Sequence, residues 1–374
     1  MRALARFLES LFRHAVVYPC LRLLLRNPPV GLPVGLRTFQ RILILRYDRI
    51  GDMVVTTPIF RALKEAHPRA RIGVLASPSN AAMIDANPYV DRIHVLHRNV
   101  FSLGKEILAA RREGYDLVLN FIFNRTTSAG MLSNVIAPRA VKIGQGDDKY
   151  RFYFNAMLKL VRGSMHMTEI LAGILRSVFG IDVAANKLRL EVFADDAARD
   201  AVTRYCEGKK LGIRGKKGRS PGYLVLNLSS TEGPRQLSDE QARTILRLLS
   251  RTRREHVVVI ASPEEKRRRM RLTASMKNGR VHSFPDEGDA RIQEIFCLIR
   301  GARGVITPDT SIVHLASAAR TPLFGLYSPL QVYTEWTPFR LRHRMVLAEK
   351  GQPVASIGPE ALRRELRTFL ERIA

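Results

Sequence analysis

The sequence is short of acid. Its 374 residues hold 61 Lys and Arg against 34 Asp and Glu, a formal net charge of +27. Such a surface favours anionic partners, whether nucleic acid, acidic lipid or a phosphorylated glycan. Cysteine is also scarce: Cys20, Cys206 and Cys297 are far apart, odd in number and without CxxC or Cys/His zinc spacing. That argues against a disulfide framework or zinc module and for reduced thiols in the cytoplasm. The N-terminal stretch has no 18-residue uncharged run, because Arg2, Arg6, Arg13, Arg22 and Arg26 interrupt it, so it is not a spanning helix. Its apolar run "AVVYPCL" is too short and Pro-broken for a secretory signal. Aromatics are 7% of the chain, and none is interleaved in the basic runs "GKKLGIRGKKGR" and "KRRRMR". A base-stacking platform for nucleic acid is therefore missing. Also absent are the G-x-G-x-x-G dinucleotide fingerprint and the G-x-S-x-G hydrolase elbow. No D-x-D pair stands at a strand end, "GDD" (146–148) being surface-loop sequence. No metal and no cofactor are expected.

What is present is a folded composition, 46% hydrophobic and 25% charged, at a length that suggests two domains. Residues 1–37 form a basic N-terminal segment and linker. Leu4, Phe7, Leu8, Leu11 and Phe12 recur at helical spacing between arginines, which fits an anionic membrane surface or the protein's own body. Pro28, Pro29 and Pro33 mark the linker. From residue 38 strands and helices alternate: "RILILRY" strand, "TTPIFRALKEAHP" helix, "ARIGVLAS" strand, "NAAMIDANP" helix, "DRIHVLH" strand, "LGKEILAARREGY" helix, "DLVLNFIF" strand. Residues 130–190 read as mostly helical. A Gly/Lys/Arg-rich loop at 208–222 precedes a second alternation that begins with "YLVLNLS" and ends in the helix "PEALRRELRTFLERI". The fold class is α/β, with two Rossmann-like doubly wound domains (38–207 and 208–374) facing a cleft.

Three stretches carry candidate chemistry. In "RIGD" (49–52), Gly51 permits close backbone approach and Asp52 lies in the first turn of a helix, where the macrodipole alone would also favour a carboxylate. In "ITPDTSIVHLASAA" (306–319), a strand ends and Asp309, Thr310 and Ser311 open a helix whose free N–H groups can receive a diphosphate. His314 lies three residues after Ser311 on the same face. In "LNLSSTEGPRQLSDE" (226–240), Arg235 could clamp a diphosphate or be a solvated loop cation.

In this order the stretches resemble the heptosyltransferases, glycosyltransferase family 9, over roughly residues 40–345. The resemblance implies a GT-B fold and inverting, metal-independent transfer of a sugar, most often heptose from ADP-heptose. The acceptor it implies is a lipopolysaccharide-core-type or other anionic glycan. It makes Asp52 the general base, supported by Gly51. It places Asp309, Thr310, Ser311, His314 and Arg235 on the donor diphosphate and Glu264 on the ribose, with Ser229 also among the donor-binding residues. Departures are Arg235 in place of a lysine, Leu237 and Ser238 in place of Trp-Pro, Ser311 in the DTG version of the helix turn, and Ser328 where glycine is usual. The expected partners are a nucleotide-sugar donor and an anionic glycolipid, with peripheral membrane contact and no nucleic acid. The expected location is the cytoplasm, on the inner face of the inner membrane. The alternatives are another GT-B enzyme such as a nucleotide-sugar epimerase, or a non-enzymatic basic binder of acidic lipid or nucleic acid.

Overall fold

The computed structural model describes residues 18–25, 27–123, 126–215, 221–230, 233–252, 255–276, 279–329 and 333–373. The amphipathic pattern from Leu4 to Phe12 and residues 216–220 of the basic loop lie outside the described residues.

The first sheet contains β1 (Arg41–Leu45), β2 (Arg71–Ala76), β3 (Arg92–Val95), β4 (Leu117–Asn120), β5 (Val141–Gln145) and β6 (Ala156–Leu158). Its helices are α1 (Tyr18–Leu24), α2 (Ile50–Ala66), α3 (Val100–Arg112), α4 (Thr126–Ile136) and α5 (Met167–Phe179), and α6 (Asp196–Gly208) follows them in the chain. The second sheet contains β7 (Tyr223–Asn227), β8 (His256–Ile260), β9 (Val281–Ser283), β10 (Gly304–Pro308), β11 (Leu323–Tyr327) and β12 (His343–Leu347). With it go α7 (Asp239–Thr252), α8 (Lys266–Ala274), α9 (Ile292–Gly301), α10 (Ser311–Ala319) and α11 (Pro359–Arg372). Both sheets are parallel. Their orders, β3-β2-β1-β4-β5-β6 and β9-β8-β7-β10-β11-β12, are the same order used twice.

This order puts a topological switch point between β1 and β4 in one sheet and between β7 and β10 in the other. Ligands of such folds bind there, at the carboxyl ends of the strands. β1, β4, β7 and β10 are buried almost throughout, which explains their continuous apolar runs.

Helix α2 starts at Ile50, so Asp52 lies in its first turn as expected, ahead of the apolar periodicity that begins at Thr56. Pro58 is also inside. Its missing N–H leaves the Val54 carbonyl without a ladder donor, and the Thr57 hydroxyl donates to that carbonyl at 2.8 Å instead. The expected helix at "NAAMIDANP" is only a 3-10 turn, Ala81–Met83. There Asn80 accepts from the Ser77 N–H at 2.9 Å and donates to the Arg46 carbonyl at 2.8 Å, so the local side chain takes over the helix's bonding. The mostly helical reading of 130–190 also needs correction, since β5 and β6 run through it. β12 is likewise a strand that the pattern did not announce.

The proline-rich stretch is strapped to the first sheet's unit. The Val30 N–H donates to the Asn155 carbonyl at 3.1 Å, and the Val34 N–H donates to that of Val178 at 2.7 Å. Helix α6 packs on α9, and the Tyr205 hydroxyl donates to the Ser283 carbonyl at 2.8 Å.

Candidate active site

Asp52 is the third residue of α2, directly after β1. One of its oxygens, Oδ2, accepts from the Arg49 N–H at 3.3 Å, which caps the helix. The other, Oδ1, accepts from Arg46 Nη2 at 3.2 Å, and Arg46 Nε donates to the Asp52 carbonyl at 2.9 Å. The Arg46 guanidinium is fully buried, while the Asp52 side chain keeps 14% of its surface. Arg46 also pairs with Asp48 at 3.2 Å and donates to the Phe121 carbonyl. A buried cation thus fixes the carboxylate from behind and leaves it facing outward.

The second sheet answers with an inverted arrangement. Asp309, at the end of β10, is buried with a side-chain exposure of 7%. Arg235, in the 3-10 turn Gly233–Arg235, approaches it at 3.3 Å with 18% exposure. Here the acid is behind and the cation in front. Thr310 caps α10, its Oγ1 accepting from the Ile312 N–H at 3.3 Å. Asn227, the last residue of β7, donates to Thr307 Oγ1 at 3.0 Å and to Thr310 Oγ1 at 3.3 Å, which fixes the helix start against the switch point. Ser229 Oγ accepts from the Ser262 N–H at 2.6 Å, tying the loop after β7 to the loop after β8. Glu264 is exposed, and hydrogen bonds from its own backbone and from Ser262 hold its carboxyl below the usual range. The neighbouring Glu265 is the tethered one, accepting from Gln236 Nε2 at 2.6 Å and Arg268 Nη1 at 2.7 Å.

The two helix starts meet. A Cβ placed on Gly51 would lie 2.8 Å from Cδ2 of His314 and 3.7 Å from Cα of Ser311. No side chain fits between α2 and α10 there, which is why the residue before Asp52 is glycine. His314 is buried, and burial pushes its pKa down to about 4. His166 stands edge-on to it with ring centroids 6.1 Å apart. Burial, then the charge His314 would carry, lowers His166 to about 3. The pair is neutral at ordinary pH.

A second seam runs nearby. Glu335, 1% exposed, accepts from Arg162 Nε at 2.7 Å and from the Gly163 N–H at 2.7 Å. The Arg162 guanidinium lies 4.7 Å from the Phe123 ring centroid, and Arg46 approaches the same ring at 5.7 Å. Contacts therefore run unbroken from Glu335 through Arg162, Phe123 and Arg46 to Asp52.

The structure brings Gly51, Asp52, Ser311 and His314 to one place and pairs Arg235 with Asp309. It joins Thr310 to Asn227 and links Ser229 to Ser262, while Glu264 stays on the surface. Sequence reasoning passed over Arg46, Asn227, His166, Arg162 and Glu335. The first two carried a signal, a polar residue closing an otherwise apolar strand run. The others carried none. Among the described residues no group of three His, Cys, Asp or Glu side chains is placed to hold a metal ion. A cavity of about 310 Å³ lies at the opposite, amino edge of the first sheet, lined by Arg41, Arg71, Arg92 and Tyr115, away from these residues.

Two Rossmann-like units with the carboxyl ends of their strands facing across a seam make this a GT-B-type fold. The family model for glycosyltransferase family 9 (heptosyltransferase) matches residues 100–356. The chain belongs to that family and is a glycosyltransferase. The match includes Ser229, Arg235, Glu264 and 309–314 and begins after Asp52. A glycosyl transferase family 9 structure from Veillonella parvula aligns with TM-score 0.76 at 15% identity, over 92% of this chain and 100% of that one. Escherichia coli heptosyltransferase WaaC with ADP aligns with TM-score 0.68 at 17% identity (89% and 99%). E. coli ADP-heptose lps heptosyltransferase II aligns with TM-score 0.67 at 18% identity (89% and 99%). No curated protein matches by sequence. No helix among the described residues is long and apolar enough to cross a membrane.

Proposed function

We propose that this glycosyltransferase moves a heptose from ADP-heptose, with inversion, onto a lipopolysaccharide-core-type or other anionic glycan acceptor. The observation that carries the reading is the meeting of α2 and α10 at Gly51 and His314, which puts a fixed carboxylate and an anion-receiving helix start on facing walls. Asp52 takes the proton from the acceptor hydroxyl as that oxygen attacks the anomeric carbon from the face opposite the diphosphate. Negative charge grows on the departing diphosphate. The N–H groups at Thr310 and Ser311, the Thr310 hydroxyl and Arg235 receive it. His314, neutral in the seam, contributes shape and a ring nitrogen rather than charge. Ser229 and Glu264 bind the nucleoside side of the donor. The structures of WaaC with ADP and with ADP-2-deoxy-2-fluoro heptose support an ADP-sugar in this family. The reaction is assigned to the cytoplasmic side of the inner membrane, where such a donor and a lipid-linked acceptor meet.

The test is thermal stability of the full chain with ADP, UDP, GDP and ADP-heptose. A ligand at a hundredfold excess over its Kd adds about 2.7 kcal/mol and raises Tm visibly. Stabilisation by ADP species is expected. A preference for UDP or GDP would discard the heptose. Proton NMR of the product then reads the anomeric configuration, and retention would overturn the inverting mechanism.

A further inference from the structure

The two units differ on their outer surfaces. Of the large apolar side chains that are exposed among the described residues, only Met270 and Leu347 lie after residue 208; the rest belong to the first unit. Single exposed aliphatics mean little, but a group on one face does. Helix α3 packs on α4, and Arg111 Nη1 donates to the Val135 carbonyl at 2.8 Å. Helix α4 meets α1 through the Tyr18 and Thr127 hydroxyls at 3.0 Å. Together α3, α4 and α1 form one outer layer over the first sheet.

That layer is apolar and cationic at once. On α3, Phe101, Lys105, Leu108 and Arg112 recur at i, i+4, i+7 and i+11, a single stripe of the helix. All four are exposed, Phe101 at 89%. Met131 and Val135 form the outward stripe of α4, and Leu23 and Leu24 stand out from α1 at 83% and 74%. Neither α1 nor α4 contains an acidic residue. The one acid in α3, Glu106, is held by His94 Nδ1 at 2.8 Å. Arg22 and Arg139 add exposed cations. Apolar side chains flanked by Lys and Arg suit the boundary between acidic headgroups and acyl chains. A second copy of this chain fits poorly, because it would press one basic face against another.

We infer that the α1–α3–α4 face rests on an anionic lipid bilayer. Helix α3 begins at the carboxyl edge of the first sheet, the edge that also carries Asp52, so docking holds that side of the cleft near the membrane plane. This deepens the reading of a lipid-linked acceptor, yet vesicle binding needs neither donor nor acceptor and therefore succeeds or fails separately from it.

The full chain is sedimented with vesicles of phosphatidylcholine, with and without about one-third phosphatidylglycerol. Binding to the anionic vesicles, weakening as salt rises, is expected. Phe101→Ser with Leu108→Ser should reduce partitioning about tenfold or more. Lys105→Glu with Arg112→Glu should reduce it similarly, and Met270→Ser with Leu347→Ser should leave it unchanged. Circular dichroism confirms that each variant is folded. Three results would overturn the inference. One is no vesicle binding by the unaltered chain. Another is loss of binding in Phe7→Ser with Phe12→Ser while the face variants bind normally, which makes residues 1–17 the sole anchor. The third is a fall in oligomer size on Phe101→Ser with vesicle binding intact, which makes the face a self-association surface.

Discussion

The two units use one strand order and one kind of ion pair but turn the pair in opposite directions. After β1 the guanidinium of Arg46 is wholly buried and Asp52 faces outward; at the end of β10 Asp309 is buried and Arg235 faces outward. In each case the hidden partner fixes the exposed one and limits the cost of desolvating it. The cleft thus receives a carboxylate from one wall and a cation beside a helix N-terminus from the other. Their outer faces differ as well. Ion pairs knit both surfaces, Lys64 with Asp91 and Arg176 with Asp182 in the first unit and Asp239 with Arg268 and Arg271 in the second, but the first unit's outer layer also leaves apolar side chains uncovered. Duplicated topology therefore does not mean duplicated chemistry, since one buried residue per switch point sets the sign presented to the ligand.

The sharpest way to break this contrast is to neutralise the exposed member of each pair. Asp52→Asn should lower kcat by about 10²–10⁴ while donor affinity, read by calorimetry, stays nearly unchanged. Arg235→Ala should do the reverse, weakening donor binding about tenfold or more with a smaller change in kcat. Equal effects of the two on donor affinity would contradict the division of labour.

The seam is tested next. Arg162→Ala leaves the Glu335 carboxylate buried without its cation and should cost about 2 kcal/mol. Urea melts should then separate toward two transitions if this pair couples the units. Gly51→Ala drives a methyl into His314 and should destabilise by about 1–3 kcal/mol, with a loss of activity that Ala at Gly104, where a Cβ would meet nothing within 4 Å, would not reproduce.

The last effect concerns pH. His314 and His166 have folded pKa values depressed to about 4 and about 3, against about 6.5 unfolded. Below pH 6.5 the unfolded chain takes up protons that the folded seam refuses. Their contribution is therefore complete above 6.5 and lost as pH falls toward 4 and 3. The expected slope is about 1.4 kcal/mol per pH unit per histidine. His314→Gln should flatten the fall of Tm between pH 6.5 and 4, and an unchanged slope would remove His314 from the account.

Much of this was legible in the chain. The continuous apolar runs located β1, β2, β4, β7, β8, β10 and β11, because strands buried on both faces need nothing else. β5, β6 and β12 escaped notice for a related reason. They lie at or next to sheet edges; "VKIGQ" and "HRMVL" carry polar residues that such a place permits, and "AML" is only three residues long. Gly51, Asp52 and the 309–311 helix start could be read because turn and cap chemistry is local. Lone charges ending apolar runs, Arg46 and Asn227, were visible but had no partner to explain them.

By itself the sequence determined the alternation of strands and helices, the two-unit plan, the excess positive charge and the polar turns at the strand ends, all of which follow from side-chain period and backbone chemistry within a few residues. Only the tertiary structure decided that Gly51 meets His314, that Arg162 reaches Glu335, and that Arg46 stands behind Asp52. It also decided that the exposed apolar residues of α1, α3 and α4 share one layer. Those contacts join positions up to hundreds of residues apart, and no local propensity encodes which pairs the packing of two sheets will bring together.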